Sequence, residues 1–151
     1  LRAHELLTLR PVAERAADPR PALDSKWKGR SGEIYTVQGK GGLTREVMIP
    51  HELAARLEER RLDAPQVVTD RGVFYQSSYD IGGGQRWSNS VSAASERTMG
   101  RSTGAHGLRH SYAQERMTEL QNRGLSRDAA LETVSQEMGH FRPEITETYL
   151  R

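Results

Sequence analysis

The stretch GEIYTVQGKGGLTREVMIP, residues 32–50, decides most about the fold of this chain. Apolar residues lie on both sides of its glycine-rich centre: Ile34, Tyr35, Val37, Val47 and Ile49. Two apolar segments joined by glycines are typical of a β-hairpin, because glycine adopts the backbone angles that tight turns require. We therefore predict an antiparallel hairpin near residues 33–49, with Lys40 at its turn.

The chain after the hairpin is predominantly helical in pattern. Pro50 suits the first turn of a helix that continues through HELAARLEERR. A helix is predicted from Trp87 to Met99, and a stronger one from His106 to Asn122, which Gly124 ends. The class that these patterns indicate is α+β, mainly helical, with the small antiparallel sheet packed beside helices.

Two more helices complete the C-terminal part. Ser126 is a good N-cap for a helix that runs to Gly139, and Pro143 begins a short last helix that carries Tyr149. At the other end, LRAHELLTLR reads as the end of a helix. Prolines make residues 11–24 a loop or insertion, and residues 63–85 hold a short apolar stretch and a glycine loop.

Composition narrows the class of protein. The 151 residues are 35% hydrophobic and 28% charged, which is typical of a soluble globular domain. No apolar run approaches the roughly 18 residues of a membrane span. The chain has no cysteine, which excludes disulfides and thiolate chemistry and fits a reducing, cytoplasmic setting. We expect no membrane partner.

Positive charge is concentrated near the hairpin. Net charge is only +2, but residues 1–50 hold nine Lys and Arg against six Asp and Glu. The basic residues around the hairpin are Lys26, Lys28, Arg30, Lys40 and Arg45. Such a face can contact DNA phosphates, although a few solvated surface lysines would give the same composition.

Residues suited to phosphodiester chemistry are gathered in the last third of the chain. His106 and Arg109 lie three residues apart in HGLRHSYA, one turn of a helix. Tyr149 in TETYL follows His140 of MGH by nine residues. A hydroxyl nucleophile, two histidines and an arginine together indicate attack on a phosphodiester.

These motifs, in this order, resemble the catalytic domain of the tyrosine recombinases, the phage integrase family. LRAHELLTLR resembles the first arginine box of that family, and VQGKGGLTREVMIP resembles its β-hairpin lysine segment. HGLRH and the MGH to TETYL spacing complete the series. The resemblance covers essentially the whole chain, residues 1–151, and implies one catalytic domain with the tyrosine-recombinase fold.

The resemblance implies a role for each matched residue. Arg2 and Arg109 match the arginines that clamp the scissile phosphate, and a guanidinium fork suits that role because it donates two parallel hydrogen bonds. Lys40 matches the lysine that protonates the leaving 5′ oxygen. Glu5 matches the acidic residue that supports the cluster.

His106 and His140 match the two family histidines, the first assigned to proton transfer with the nucleophile and the second to hydrogen bonding of the phosphate. Tyr149 matches the nucleophile. Its phenol has an ordinary pKa of about 10, so it needs cations or a base to attack at neutral pH. The product is a 3′-phosphotyrosine, and the implied strand transfer needs no cofactor and no metal.

The resemblance also implies partners and context. They are double-stranded DNA, a tetramer of the protein on paired DNA sites, and accessory DNA-bending proteins, in a bacterial cytoplasm. Family members carry an N-terminal DNA-binding domain and a C-terminal tail, so we expect this chain to be a fragment without them. We therefore also expect the Tyr149 helix to be mobile or displaced.

Other functions fit parts of the same pattern. Type IB topoisomerases share much of the residue set and relax supercoils, and a DNA-binding regulator on a recombinase-like domain is a non-enzymatic alternative. GLRH also resembles the Arg-His-Gly signature of phosphohistidine phosphatases, but here Ser111 follows His110. A zinc site from His106, His110 and His140 lacks the glutamate of HExxH and any cysteine.

Overall fold

A computed structural model describes all of residues 1–151, and its chain divides into two compact units. The first unit comprises Leu1–Asp18 and Ser31–Ala105, and the second comprises Pro19–Arg30 and His106–Arg151. The class is α+β with two small antiparallel sheets, as the sequence predicted at that level.

The first unit contains a 3₁₀ helix, five strands and two α-helices. In chain order they are the 3₁₀ helix Ala3–Thr8, β1 (Arg10–Pro11), β2 (Glu33–Gln38), β3 (Thr44–Ile49), α1 (His51–Glu58), β4 (Arg61–Asp70), β5 (Val73–Tyr79) and α2 (Gly84–Met99). The predicted opening helix is thus one short 3₁₀ segment.

The predicted hairpin is confirmed. Strands β2 and β3 pair in antiparallel register from Glu33 opposite Ile49 to Gln38 opposite Thr44. Gly41 and Gly42 take left-handed φ values of 85° and 83° at the turn, which side chains with a Cβ rarely adopt. The two-residue strand β1 adds a third member on the other side of β2.

One hydrophobic cluster holds the first unit together. It contains Leu9, Tyr35, Val37, Val47, Ala54, Leu57 and Tyr79. Two of its tyrosines share one carboxylate, because Glu58 Oε1 accepts from Tyr35 Oη at 2.6 Å and from Tyr79 Oη at 2.7 Å. The cluster thus joins the three-stranded sheet, α1 and the end of β5.

A second, two-stranded sheet was not predicted. Strands β4 and β5 form a ribbon in which Thr69 pairs with Phe74 and Asp70 with Val73. Arg71 and Gly72, both with positive φ, make its turn. The sequence did not show the ribbon because both faces of β4 and the first half of β5 are largely exposed, and without one buried face apolar and polar residues need not alternate with a period of two.

The second unit is helical. Its elements are α3 (His106–Asn122), α4 (Arg127–Met138), α5 (Pro143–Glu147) and a 3₁₀ helix at Thr148–Leu150. Ser126 caps α4 as predicted, since its Oγ accepts from the Ala129 N–H at 3.2 Å. The core is Ala113, Met117, Leu120, Ala130, Leu131, Val134, Met138 and Tyr149.

Residues 19–30, the docked segment, belong to this second unit and run along α4. The Leu23 N–H donates to Gln136 Oε1 and the Trp27 N–H donates to Glu137 Oε1, at 2.9 and 2.8 Å. Glu137 also binds the buried Arg116 guanidinium at 3.0 Å. The sequence predicted only a loop or insertion over residues 11–24, and the hydrogen bond of Leu23 ties the end of that range to α4.

Candidate active site

Tyr149 lies in a pocket of imidazole rings in the second unit. Its ring centroid is 5.1 Å from that of His106, 4.8 Å from that of His110 and 5.0 Å from that of His140. The His140 ring is stacked on it with an interplanar angle of 27°. The tyrosine is 8% exposed and packs against the helical core, so the expectation of a displaced tyrosine helix is wrong.

Helix geometry explains why these groups meet. His106, Arg109 and His110 occupy positions i, i+3 and i+4 on α3, which share one face of a helix. Helix α4 ends at Gly139, whose left-handed φ of 78° turns the chain so that His140 follows directly after the helix. The short α5 and the final 3₁₀ turn then return the chain to the core.

Arg109 and His140 are joined by a hydrogen bond. Arg109 Nη2 donates to His140 Nε2 at 3.0 Å and to the Met138 carbonyl at 3.1 Å. The Arg109 Cζ lies 5.5 Å from the centroid of the Tyr149 ring, within the range of a cation–π contact. A permanently charged guanidinium is thus held next to the Tyr149 ring.

Thr146 contacts the other ring nitrogen of His140. Its Oγ1 lies 2.9 Å from His140 Nδ1, and the residue is fully buried. The sequence did not single out Thr146, since a spacing of six residues from a histidine carries no helical signal. Both ring nitrogens of His140 therefore have protein partners.

The first unit brings a different set of predicted residues together. The fully buried Glu5 carboxylate accepts from Arg45 Nη2 at 2.8 Å and from the Arg2 N–H at 2.6 Å. The Arg2 guanidinium also reaches Glu5 Oε1, at 3.4 Å. Glu5 therefore orients two arginines, and the supporting role that the resemblance implies for it stays a prediction.

The charge state of Glu5 follows from these contacts. Burial alone raises the pKa of the Glu5 carboxyl, but the Arg45 guanidinium and the Arg2 N–H outweigh it. The pKa of Glu5 is therefore held below its ordinary value. The carboxylate stays ionised at neutral pH and partly neutralises the arginines around it.

Lys40 lies at the hairpin turn, as predicted, and is exposed. The turn is closed by the Gly39 N–H, which donates to the Leu43 carbonyl at 2.8 Å. Gly39 is packed beside the arginine cluster: a Cβ placed on it would lie 3.3 Å from Glu5 Oε1. The base of the lysine turn is therefore next to the Glu5 carboxylate.

The basic residues predicted around the hairpin are divided between the two units, and one of them is buried. Arg45 is 4% exposed and bound to Glu5, so its placement on a DNA-contacting surface is corrected to a buried supporting position. Strand alternation explains this, because Arg45 shares a face of β3 with the buried Val47.

Lys26, Lys28 and Arg30 belong to the docked segment of the second unit. Arg30 donates two hydrogen bonds to Glu119, at 2.9 and 3.1 Å, and Lys26 Nζ lies 5.4 Å from the Trp27 ring centroid. A DNA contact through these three residues stays a prediction.

His110 is the ring that the sequence prediction of the site left out. The alternatives above include it as a zinc ligand and in the GLRH motif, yet of the three histidines its ring centroid is the nearest to Tyr149. The four-residue spacing from His106 was the available signal. The structure contains no group of three or more His, Cys, Asp or Glu side chains arranged to hold a metal ion.

Chemically, the second unit presents a phenol beside imidazoles and a guanidinium. Imidazoles accept protons near neutral pH, and a guanidinium stabilises the charge that builds on a phosphoryl group. No family model, curated protein or solved structure matches the chain. None of its helices is long and apolar enough to cross a membrane.

Proposed function

We propose that this chain is the catalytic domain of a site-specific DNA recombinase of the tyrosine type, with Tyr149 as its nucleophile. The observation that carries the proposal is the environment of Tyr149. The phenol is buried among three imidazoles with a guanidinium 5.5 Å from its ring centroid. A tyrosine that only packs a hydrophobic core does not require imidazole and guanidinium groups around its ring.

The surroundings of the other tyrosines support this choice by contrast. Tyr35, Tyr79 and Tyr112 each donate to a glutamate, and for all three burial and that carboxylate raise the pKa of the phenol. A raised pKa makes a phenol a poorer nucleophile, because less phenolate forms. The neighbours of Tyr149 described above are basic or cationic instead.

In the proposed reaction the Tyr149 oxygen bonds to phosphorus as the bond from phosphorus to the 5′ oxygen breaks. The phenolic proton passes to His106, and Arg109 stabilises the charge on the non-bridging oxygens. The family resemblance gives Lys40 the role of protonating the leaving 5′ oxygen and Arg2 that of the second phosphate-binding arginine. The 3′-phosphotyrosine keeps the energy of the phosphodiester, so a 5′-hydroxyl can later attack it and reseal a strand.

A covalent-capture experiment tests the nucleophile. The substrate is a pool of DNA duplexes of random sequence, each with one nick that lets the cleaved fragment diffuse away. The wild-type chain is expected to form an adduct that survives detergent, and Tyr149→Phe is expected to form none. Tyr75→Phe is the matched control, since Tyr75 has only a ring contact to His4. No wild-type adduct, or an adduct that persists in Tyr149→Phe, would overturn the proposal.

Two further measurements define the reaction class. We expect the adduct to form equally well in EDTA, and a strict requirement for Mg²⁺ or Zn²⁺ would contradict the proposed chemistry. A plasmid that carries two copies of a captured site separates the alternatives. Exchange between the sites indicates a recombinase that assembles on paired sites, whereas relaxation of supercoils alone indicates a topoisomerase. DNA binding with no adduct would point to a regulator.

A further inference from the structure

Arg109 and Thr146 together decide which nitrogen of His140 carries a proton. A guanidinium has only N–H donors and no acceptor. In the 3.0 Å contact between Arg109 Nη2 and His140 Nε2, the imidazole nitrogen must therefore accept. His140 Nε2 then has no proton in this arrangement.

Thr146 supplies the matching partner on the other side of the ring. A neutral imidazole whose Nε2 is unprotonated carries its proton on Nδ1. His140 Nδ1 lies 2.9 Å from Thr146 Oγ1, and a hydroxyl oxygen readily accepts from it. Because Thr146 is fully buried, water does not compete for this contact.

We propose that Thr146 is a positioning residue, which holds His140 as the neutral tautomer protonated on Nδ1. The second nitrogen, Nε2, then accepts from Arg109, and the imidazole ring lies at 27° to the Tyr149 ring. In this tautomer His140 has no proton to donate to a phosphate, so it acts on the phosphate by holding Arg109 and not by the direct hydrogen bond that the resemblance implies. Thr146 acts through His140, as hydrogen-bond partners of functional histidines generally do. The effect of Thr146 on catalysis rests on the function proposed above, whereas the effect of Thr146 on the His140 tautomer does not.

Nitrogen NMR of the imidazole rings tests the tautomer without DNA. In ¹⁵N-labelled protein at about pH 8, where an ordinary imidazole is neutral, the protonated and unprotonated ring nitrogens have well separated shifts. His140 is expected to be protonated on Nδ1 in the wild type and in Thr146→Ser, which keeps the hydroxyl. Thr146→Val has a similar shape but would leave a proton on Nδ1 buried without an acceptor, so we expect a mixture of tautomers although Arg109 is kept.

Thr148→Val is the matched control. Thr148 lies two residues away in the same TETY stretch, and its hydroxyl donates to the Ile145 carbonyl. Its replacement is expected to leave the His140 signals unchanged. If Thr146→Val does not fold, the wild-type spectrum still decides, since a proton on Nε2 of His140 would overturn the proposal.

The covalent-capture assay then measures the consequence for the reaction. We expect Thr146→Val to form adduct about tenfold or more slowly, and Thr146→Ser to restore most of the rate. An unchanged rate in Thr146→Val would overturn the positioning role but leave DNA cleavage by Tyr149 standing. If the wild type shows the Nδ1 tautomer and forms no adduct, the proposed function fails and the role of Thr146 in setting the tautomer remains.

Discussion

The two units hold the arginines of their candidate site residues with different kinds of partner. In the first unit Arg2 and Arg45 both contact the ionised Glu5 carboxylate. In the second, both hydrogens of Arg109 Nη2 go to neutral acceptors, the Met138 carbonyl and the His140 imidazole. A carboxylate stabilises an arginine strongly but cancels part of its charge, whereas a carbonyl or an imidazole orients the guanidinium and leaves its charge for an incoming anion.

The largest loss in the free energy of unfolding is expected when the ion pairs of Glu5 are removed. Glu5→Gln leaves Arg45 buried without its counter-charge, and removal of one partner of a buried pair costs about 3–5 kcal/mol. Urea unfolding should therefore show a loss of that order in the free energy of unfolding. The control is Glu33→Gln, because the Glu33–His51 pair is about 60% exposed on both sides. Exposed pairs contribute about 0–1 kcal/mol. A loss below about 1 kcal/mol for Glu5→Gln would contradict the description of the cluster.

Unfolding measured across acidic pH tests whether Glu5 is ionised in the folded chain. The pKa of Glu5 is lower in the folded chain, so its contribution to stability is present above the ordinary glutamate pKa and is lost as pH falls through the lowered value. The free energy of unfolding should fall less steeply with acid in Glu5→Gln than in the wild type. Equal slopes in the two proteins would show that Glu5 titrates normally.

A smaller effect is expected in the second unit, where the group is neutral. Thr146→Val removes one buried hydrogen bond to an uncharged ring and should cost about 1–3 kcal/mol in the free energy of unfolding. The difference between the losses in Thr146→Val and Glu5→Gln, measured under the same conditions, shows how much more an ionic contact stabilises its unit than a neutral one does. A larger loss of unfolding free energy for Thr146→Val than for Glu5→Gln would contradict this difference between the two units.

A third carboxylate, Glu58, gives a test at alkaline pH. Burial and the hydrogen bond to Glu58 raise the pKa of Tyr79 to about 12. Since this folded-state pKa lies above the ordinary value of about 10, the contribution of Tyr79 is complete below that pH and is lost as pH rises to about 12. Absorbance titration of the phenolates should show this late ionisation in the wild type. Tyr79→Phe should lack it, and a midpoint near 10 for Tyr79 would be contrary to the structure.

The smallest loss in the free energy of unfolding is expected at the N-cap of α4, which involves no charged group. Ser126→Ala removes the cap of α4 and should cost about 1 kcal/mol in the free energy of unfolding. Ser126→Asp, which keeps an acceptor at the cap, should restore stability. Loss in both variants would mean that the cap hydrogen bond is not what Ser126 contributes.

Local signals predicted the parts of the fold that local forces determine. The glycine turn fixed the β2–β3 hairpin, and Ser126 and Gly139 marked the ends of α4 because capping acts within one helical turn. Strand alternation also contained a clue that was missed, since it places Arg45 on the same face as Val47. The exposed β4–β5 ribbon left no such pattern, and only the turn glycine, Gly72, hinted at it.

The candidate site was predictable as a set of residues and not as an arrangement. Spacing placed His106 and Arg109 on one face of α3, and it contained His110 as well. The contact between His140 and Thr146 depends on how α5 turns back, which no short pattern encodes. The same holds for Glu137, which binds both Arg116 and the docked segment across more than twenty residues of chain.

The docked segment has a consequence for how this protein can be divided. The chain leaves the first unit after Asp18, runs along α4 as residues 19–30, and re-enters the first unit at Ser31. No single cut therefore separates the two units: a fragment that ends at Ala105 carries the docked segment without the glutamate that holds Trp27. The chain crosses between the units three times, after Asp18, Arg30 and Ala105, so the folding of the second unit depends on a segment that the first unit carries at both of its ends.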